Sequence, residues 1–550
     1  MSRLLIFLLV LAAGASAQTE KGSISGRVVS GEGGGLAGIT VQARPAGRRG
    51  GPPPRTASTD EEGGFVFENL RPGAYEITTM GGRTFVPAPV DPAERAMPRV
   101  YRLGESVTLT MIRGGVIDGR VLGPEGEPIV TMRVSAIRVR DERGVRLAAP
   151  VTVSWRLTDD RGAYRMYGLP PGAYIVKAND GNPFYNSQAS LYDNDAPLYY
   201  PGSPRDTAAE IQVDSGSEAT GIDIRFRSQR GHTLSGRLLG GGEDGRGGAT
   251  VALRHAVTGA LLADRYAGAV GDRHAFDFFG VPDGEYELQA TTGWDAEEPK
   301  ASPPRRVTVR GADVENIELR IAPLASVAGR LVVEAAPAAC DKPGTLRFEE
   351  AVLAVRPDER VKSEFDSAAP PASLATTANE KGEFLLRGLQ PRRYWLRLEL
   401  PGESWYLKSF TAGKSDLARL GLTPKPGEAL RDVTLTLAAG AAGLRGKLAA
   451  RPSGRRRLHL VPVDPAADPL RYAETIVRED GAFELKHLAP GPYWLLARPI
   501  PDDESPDRPP APLALDPAAR AALRRDAEAK KIEVNLKLCG REVRGIGSDE

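Results

Sequence analysis

The sequence predicts an all-β chain of five tandem β-sandwich modules with one short helix near its C-terminal end. Three observations predict it. One pattern is written five times, as Asp60 to Ile77, Asp159 to Val176, Gly271 to Leu288, Asn379 to Leu396 and Arg478 to Leu495. Within each copy apolar residues recur at period two, the signature of a strand with one buried face. The chain of 550 residues is too long for one core, which stops growing near ~250–300 residues.

Each copy opens on a turn. Small and acidic residues precede Gly63, Gly162, Gly382 and Gly481, and Gly tolerates positive φ. A strand follows, with Phe65/Phe67, Tyr164/Met166, Phe276/Phe278, Phe384/Leu386 and Phe483/Leu485 on its inner face. Leu70, Leu169, Val281, Leu389 and Leu488 come three positions later, where the alternation breaks and the strand is expected to end. Pro72-Gly73, Pro171-Gly172 and Pro490-Gly491 fit a type II turn. The copies then resume with Tyr75/Ile77, Tyr174/Val176, Tyr286/Leu288, Tyr394/Leu396 and Tyr493/Leu495.

Each copy has a Gly-Arg or Gly-Lys strand upstream, around Gly26, Gly119, Gly236, Gly329 and Gly446. Each also has an alternating strand downstream: Val107 to Met111, Ile222 to Phe226, Ile317 to Ile321, Val433 to Leu437 and Ile532 to Leu538. The spacing gives modules 18–113, 114–228, 229–322, 323–438 and 439–550, a normal sandwich size.

The Gly-Arg strand followed by D-x-x-G-x-F-x-F-x-x-L-x-P-G-x-Y resembles the carboxypeptidase regulatory-like family. That resemblance implies a transthyretin-like, seven-stranded sandwich related to carbohydrate-binding-like folds. His274 and Asp283 depart from the pattern in the third copy, and Arg392 replaces the turn glycine in the fourth.

Residues 1–17 read as a secretory signal, with Arg3, an apolar run Leu4 to Ala13 and a small-residue end Ala15-Ser16-Ala17. A net charge of +1 gives no case for nucleic acid or an anionic membrane as partner. The basic, Pro-rich run Gly47 to Arg55 reads as a solvated hairpin loop, with anion binding as the functional alternative. Val151, Val153, Trp155 and Leu157 read as one face of a strand. The loop Asn182 to Asp214 carries Tyr185, Tyr199, Tyr200 and the acidic triplet Asp193-Asn194-Asp195, which lacks calcium-loop spacing. Trp294, Trp405 and Tyr406 recur just past the Tyr strand of later copies. These six rings are the candidate ligand-binding residues; packing is the competing explanation and the preferred one.

The residue after each motif Tyr falls on the opposite strand face: Glu76 and Glu287, but Ile175, Trp395 and Trp494. Apolar residues there predict that the outer face is covered in copies two, four and five, by a neighbouring module or a long loop. Asp516, Pro517 and the Ala-rich run to Lys530 predict a helix over 517–530 lying across the sandwich edge. Two cysteines, Cys340 and Cys539, form a candidate disulfide by compartment. In an extended array Cys340 sits in module four at the pole nearest module five and Cys539 at the far pole of module five, so pairing requires module five to fold back.

Five scattered histidines form no H-E-x-x-H or H-x-x-E pattern, and neither a G-x-S-x-G elbow nor a phosphate-binding loop is present. No catalytic residue, metal or cofactor is assigned. Pilus sandwiches with Lys–Asn cross-links use a Glu four residues after the motif Tyr; Thr79, Ala178, Ala290, Leu398 and Ala497 stand there. The expected function is a non-catalytic, exported cell-envelope protein binding a carbohydrate or another surface polymer. The alternative is a protein-interaction scaffold or adhesin, and a hydrolase comes last.

Overall fold

The computed structural model describes residues 22–546 apart from 48–52, 83, 90–98, 180–190, 193, 241–247, 268–274, 293–295, 297, 335–345, 359–363, 365–373, 449–454, 468, 479 and 501–516. Residues 1–17, Tyr185, Trp294, Cys340 and Asp516 therefore lie outside the described residues. The described strands form ten sheets, and each copy of the pattern enters two of them. Its Phe strand belongs to one sheet and its Tyr strand to the other, so the short crossing between them joins the two layers. In the first copy these strands are Gly64–Leu70 and Tyr75–Thr79.

The first layer is built the same way five times. A central Gly-containing strand pairs antiparallel with the Phe strand and parallel with a closing strand. Gly22–Ser30 does so with Gly64–Leu70 and Ser106–Arg113. Ala442–Leu448 does so with Ala482–Leu488 and Arg541–Ile546. The last pairing corrects the sequence reading. Ile532–Leu536 is not the closing strand of the fifth copy; it pairs with Gly491–Pro499 in the second layer.

Seven strands occur only in the fifth pair of sheets; the first pair has four and four. Additions such as Phe85–Pro87 and Trp405–Ala412 extend the layers beyond the expected seven, each pairing along the closing strand of its own copy. Each copy closes on its own apolar core, for example Ile24, Phe67 and Tyr75 in the first and Leu444, Phe483 and Tyr493 in the fifth.

The three-residue step after the second Phe position does not end the strand. Asn69, Gly168, Gly280, Gly388 and His487 all have φ between 56° and 78° there, and the ladder shifts register at this point. A left-handed residue opposite one partner residue is a bulge, which returns the next Leu to the inner face. The crossing that follows is not a type II turn. Gly73, Gly172, Gly284 and Gly491 have φ of 136° to 159°, beyond the ~80° such a turn needs. Arg392, at the same place in the fourth copy, is not among the positive-φ residues, so its crossing takes another path.

The glycine of the central strand answers a packing demand. A Cβ on Gly26, Gly236, Gly329 or Gly446 would fall 2.6 to 2.7 Å from the ring of Phe65, Phe276, Phe384 or Phe483 and closer still to a carbonyl of the closing strand. In the second copy Tyr164 takes the ring's place and donates to the Ile222 carbonyl.

Candidate functional site

The motif tyrosines are structural. Tyr75, Tyr286 and Tyr493 donate to the carbonyls of Arg71, Pro282 and Ala489, four residues back, at 2.7 to 2.8 Å, and Tyr174 does the same to Pro170. In the fourth copy the direction reverses, and Gln390 N–H donates to the Tyr394 hydroxyl at 2.9 Å. Burial raises all five hydroxyls, Tyr394 to about 12, so they stay protonated at physiological pH.

The outer faces are where the copies differ. Trp395 is 4% and Trp494 6% exposed, and Ile175 is buried as well. Each has a different cover. Over Ile175 lie Tyr199 and Ala208 of the long loop. Trp494 packs against Leu523 and Ala527 of the helix Pro517–Lys530, with the Arg524 guanidinium 5.0 Å from its ring centre. The helix thus lies on the sheet face, not across the edge. Its Arg524 also donates to the Pro462 carbonyl at 2.7 Å, tying helix to sheet. Beside Trp395 run Arg393 and the Gly421 backbone.

Glu287 departs from expectation, being only 2% exposed. Arg254 is its cross-strand partner, and burial lowers that guanidinium's pKa while Glu287 counteracts the shift. The third copy therefore buries a carboxylate where the fifth buries an indole.

The candidate rings fare unevenly. Tyr199 is 2% and Trp405 7% exposed, spent respectively on the cover over Ile175 and on the core of the fourth copy. Neither offers a face to a sugar. Tyr200 and Tyr406 are half-buried. Asn194 accepts from Gly231 N–H at 2.9 Å, and among the described residues no group of three His, Cys, Asp or Glu could hold a metal ion. A register shift opposite Ala136 and Ile137 breaks the expected face of the strand Arg146–Leu157: Val153 packs on the core, while Trp155 and Leu157 are exposed.

The chain folds back on itself. Copy one meets copy four, where Ala46, Ala74 and Val100 pack on Val352, and Ala74 N–H donates to Glu349 O at 3.3 Å. Arg102 donates to Glu350 O at 3.2 Å and lies 3.6 Å from the Glu399 carboxylate. Burial raises Glu399, with Arg102 opposing, and burial lowers the adjacent Arg397. Arg397 in turn acts on Glu474 of the fifth copy. Burial works to raise Glu474, but the 3.3 Å contact with His459, together with Arg457 and Arg397, outweighs it and holds the carboxyl low.

Copies four and five also join through Glu403, which meets Arg541 and Lys486 at 2.9 Å each. His487 Nδ1–H donates to the Trp405 carbonyl at 2.8 Å. Cys539 is disulfide-bonded, and its N–H donates to Gly440 O at 3.1 Å. That places it at the near pole of the fifth copy, beside the fourth. The objection raised from an extended array rested on the wrong closing strand.

Sequence reasoning found the covered faces but missed the residues that join the copies. Arg102, Glu399, Glu403 and Glu474 belong to no repeated pattern, and only their burial marks them.

Residues 23–87 match the carboxypeptidase regulatory-like domain. No curated protein matches the chain. Among solved structures it is similar to the Bacillus anthracis TIE protein, at 13% identity and TM-score 0.15 over 55% of this chain, and spans about half (51%) of that protein. A minor pilin of Streptococcus agalactiae aligns at 13% identity and TM-score 0.21 over 38% of this chain and 97% of its own. The major pilin subunit of Bacillus cereus aligns at 10% identity and TM-score 0.14 over 55% of this chain and 99% of its own. The matched stretch falls within the first pair of sheets of a chain built throughout from paired β-sheets.

Proposed function

We propose that the protein is a non-catalytic, exported scaffold of the cell envelope, made of five modules with the boundaries 18–113, 114–228, 229–322, 323–438 and 439–550. The observation that carries this reading is the use of the outer faces. Side chains that differ between copies seat a loop in the second copy and a helix in the fifth, and Ala46, Ala74 and Val100 set the first copy against Val352 of the fourth. Surface left over for protein partners includes the strand Arg146–Leu157, which stands at the edge of its sheet and carries exposed Val151, Trp155 and Leu157. Sugar stacking is the second reading, and half-buried Tyr200 and Tyr406 support it.

Cross-linking on intact cells and a neutral-glycan array on the mature chain separate the two. The scaffold reading expects cross-links to envelope proteins that disappear with Trp155→Asp, and no neutral-glycan signal. A glycan signal abolished by Tyr406→Ala or Tyr200→Ala would replace it with the sugar reading.

A further inference from the structure

The fifth copy carries a cationic groove. A depression of about 500 Å³ runs over its first layer, lined by Arg445, Lys447, Arg478, Val543 and Arg544, with Glu484 the one carboxylate in the lining. Gly446 and Gly545 help to form its floor, and exposed Val543 stands beside Arg445.

Three of these cations stand where the fold ordinarily uses something else. Arg445 occupies the position of Ser25, Asp118, Ser235 and Ala328. Arg544 faces Gly446 as Val107, Ile317 and Val433 face theirs, and from that inner-face register its guanidinium reaches the Glu533 carbonyl of the second layer at 3.3 Å, so it lines the groove from behind rather than on its open face. Arg478 replaces the turn residue that caps its own loop elsewhere. Asp60, Asp159 and Asn379 side chains accept backbone N–H bonds at 2.6 to 2.9 Å; in the fifth copy Asp480 takes part of that task from Ala482 N–H at 2.9 Å.

Local charge accounts for only part of these exchanges. Asp480 and Glu542 stand 3.8 and 3.9 Å from Arg478 and Arg544, and Glu484, the cross-strand neighbour of Arg445, lies 3.5 Å from Lys486. Arg445 and Lys447 are exposed and, among the described residues, form no ion pair within 4 Å. In the first and third copies the arginine at the Lys447 position is engaged, Arg27 with the Glu62 carbonyl and Arg237 with Glu318.

We infer that this groove binds an acidic polysaccharide, its carboxylates meeting Arg445, Lys447 and Arg478 in turn. Side chains two apart on one strand recur every ~7 Å and neighbouring strands lie ~4.8 Å apart, a lattice of cations suited to a chain with repeated anions. The groove is open and shallow, and its one aromatic residue, Phe483, is buried in the core, so stacking of neutral sugar rings or bases has no platform. This site stands apart from the scaffold reading and from the aromatic loops.

The test is fluorescence anisotropy with labelled polygalacturonate oligomers on the full mature chain at low and moderate salt. Polyphosphate and dextran are the comparison probes. The expected result is polygalacturonate binding that weakens at least tenfold in Arg445→Gln/Lys447→Gln, with a log–log salt slope shallower by about two. Arg237→Gln/Arg330→Gln, which changes net charge equally on other copies, is expected to change affinity less than threefold. Equal losses in both double variants, polyphosphate binding without polygalacturonate binding, or no binding of polygalacturonate by the wild type would each overturn the assignment. Thermal melts keep folding apart from binding, since all four side chains exchanged are exposed.

Discussion

The strands bearing Tyr286-Glu287-Leu288 and Tyr493-Trp494-Leu495 are alike inside and unlike outside. Their Tyr and Leu enter equivalent cores, and both Tyr hydroxyls donate four residues back. Their middle residues are both buried, yet one is a carboxylate and the other an indole under a helix. The inner face is what the motif specifies. The outer face is where each copy acquires its own cover, and the way it is covered decides how a mutation there acts.

The largest effect is expected at Trp494. Trp494→Ala removes the indole between sheet and helix and should cost about 3–5 kcal/mol, with faster amide exchange along Pro517–Lys530. Exchange unchanged in the helix would mean that Trp494 does not hold it. Glu287→Leu should cost somewhat less, about 1–3 kcal/mol, because the carboxylate is buried and its removal leaves buried polar groups short of a partner; a variant as stable as the wild type in chemical denaturation would contradict this. Tyr286→Phe and Tyr493→Phe should each cost about 1 kcal/mol in chemical denaturation, because that corner is common to both copies.

The smallest effect is a pH dependence at the junction of copies four and five. Burial depresses the His487 pKa, with the Trp405 hydrogen bond opposing. A folded pKa below the unfolded one gives stability that is present above the ordinary histidine pKa of about 6.5 and is lost as pH falls through the folded value. His487→Asn should flatten the melting-temperature difference between pH 7.5 and pH 5.5. Asn69 holds the same left-handed position in the first copy, so the backbone tolerates the exchange.

What was legible in the sequence follows this division. The motif residues repeat, and repetition at one spacing exposes turn, strand and crossing. The bulge was not legible: the step from Phe67 to Leu70 breaks the alternation, and that break reads as a strand end. The covers were legible only as a demand: Ile175, Trp395 and Trp494 need burial, but nothing near them in sequence says whether a loop, a helix or another module supplies it. Glu287 hid its burial because a carboxylate on an outer face reads as solvated. The fifth closing strand misled, since Ile532–Leu536 alternates well and Arg541–Ile546 does not. The junction of copies one and four joins Arg102 to Glu399 across most of the chain, beyond the reach of any local pattern.

That junction carries the central claim, that outer surfaces dock modules of one chain against each other. Small-angle scattering of the mature chain and of Ala74→Arg/Arg102→Glu measures it most directly. The account predicts a compact wild-type particle and a variant whose radius of gyration and maximum dimension rise as copy one swings away from copy four, with both chains retaining the same β content. A wild-type profile of an extended five-module rod, unchanged in the variant, would contradict it.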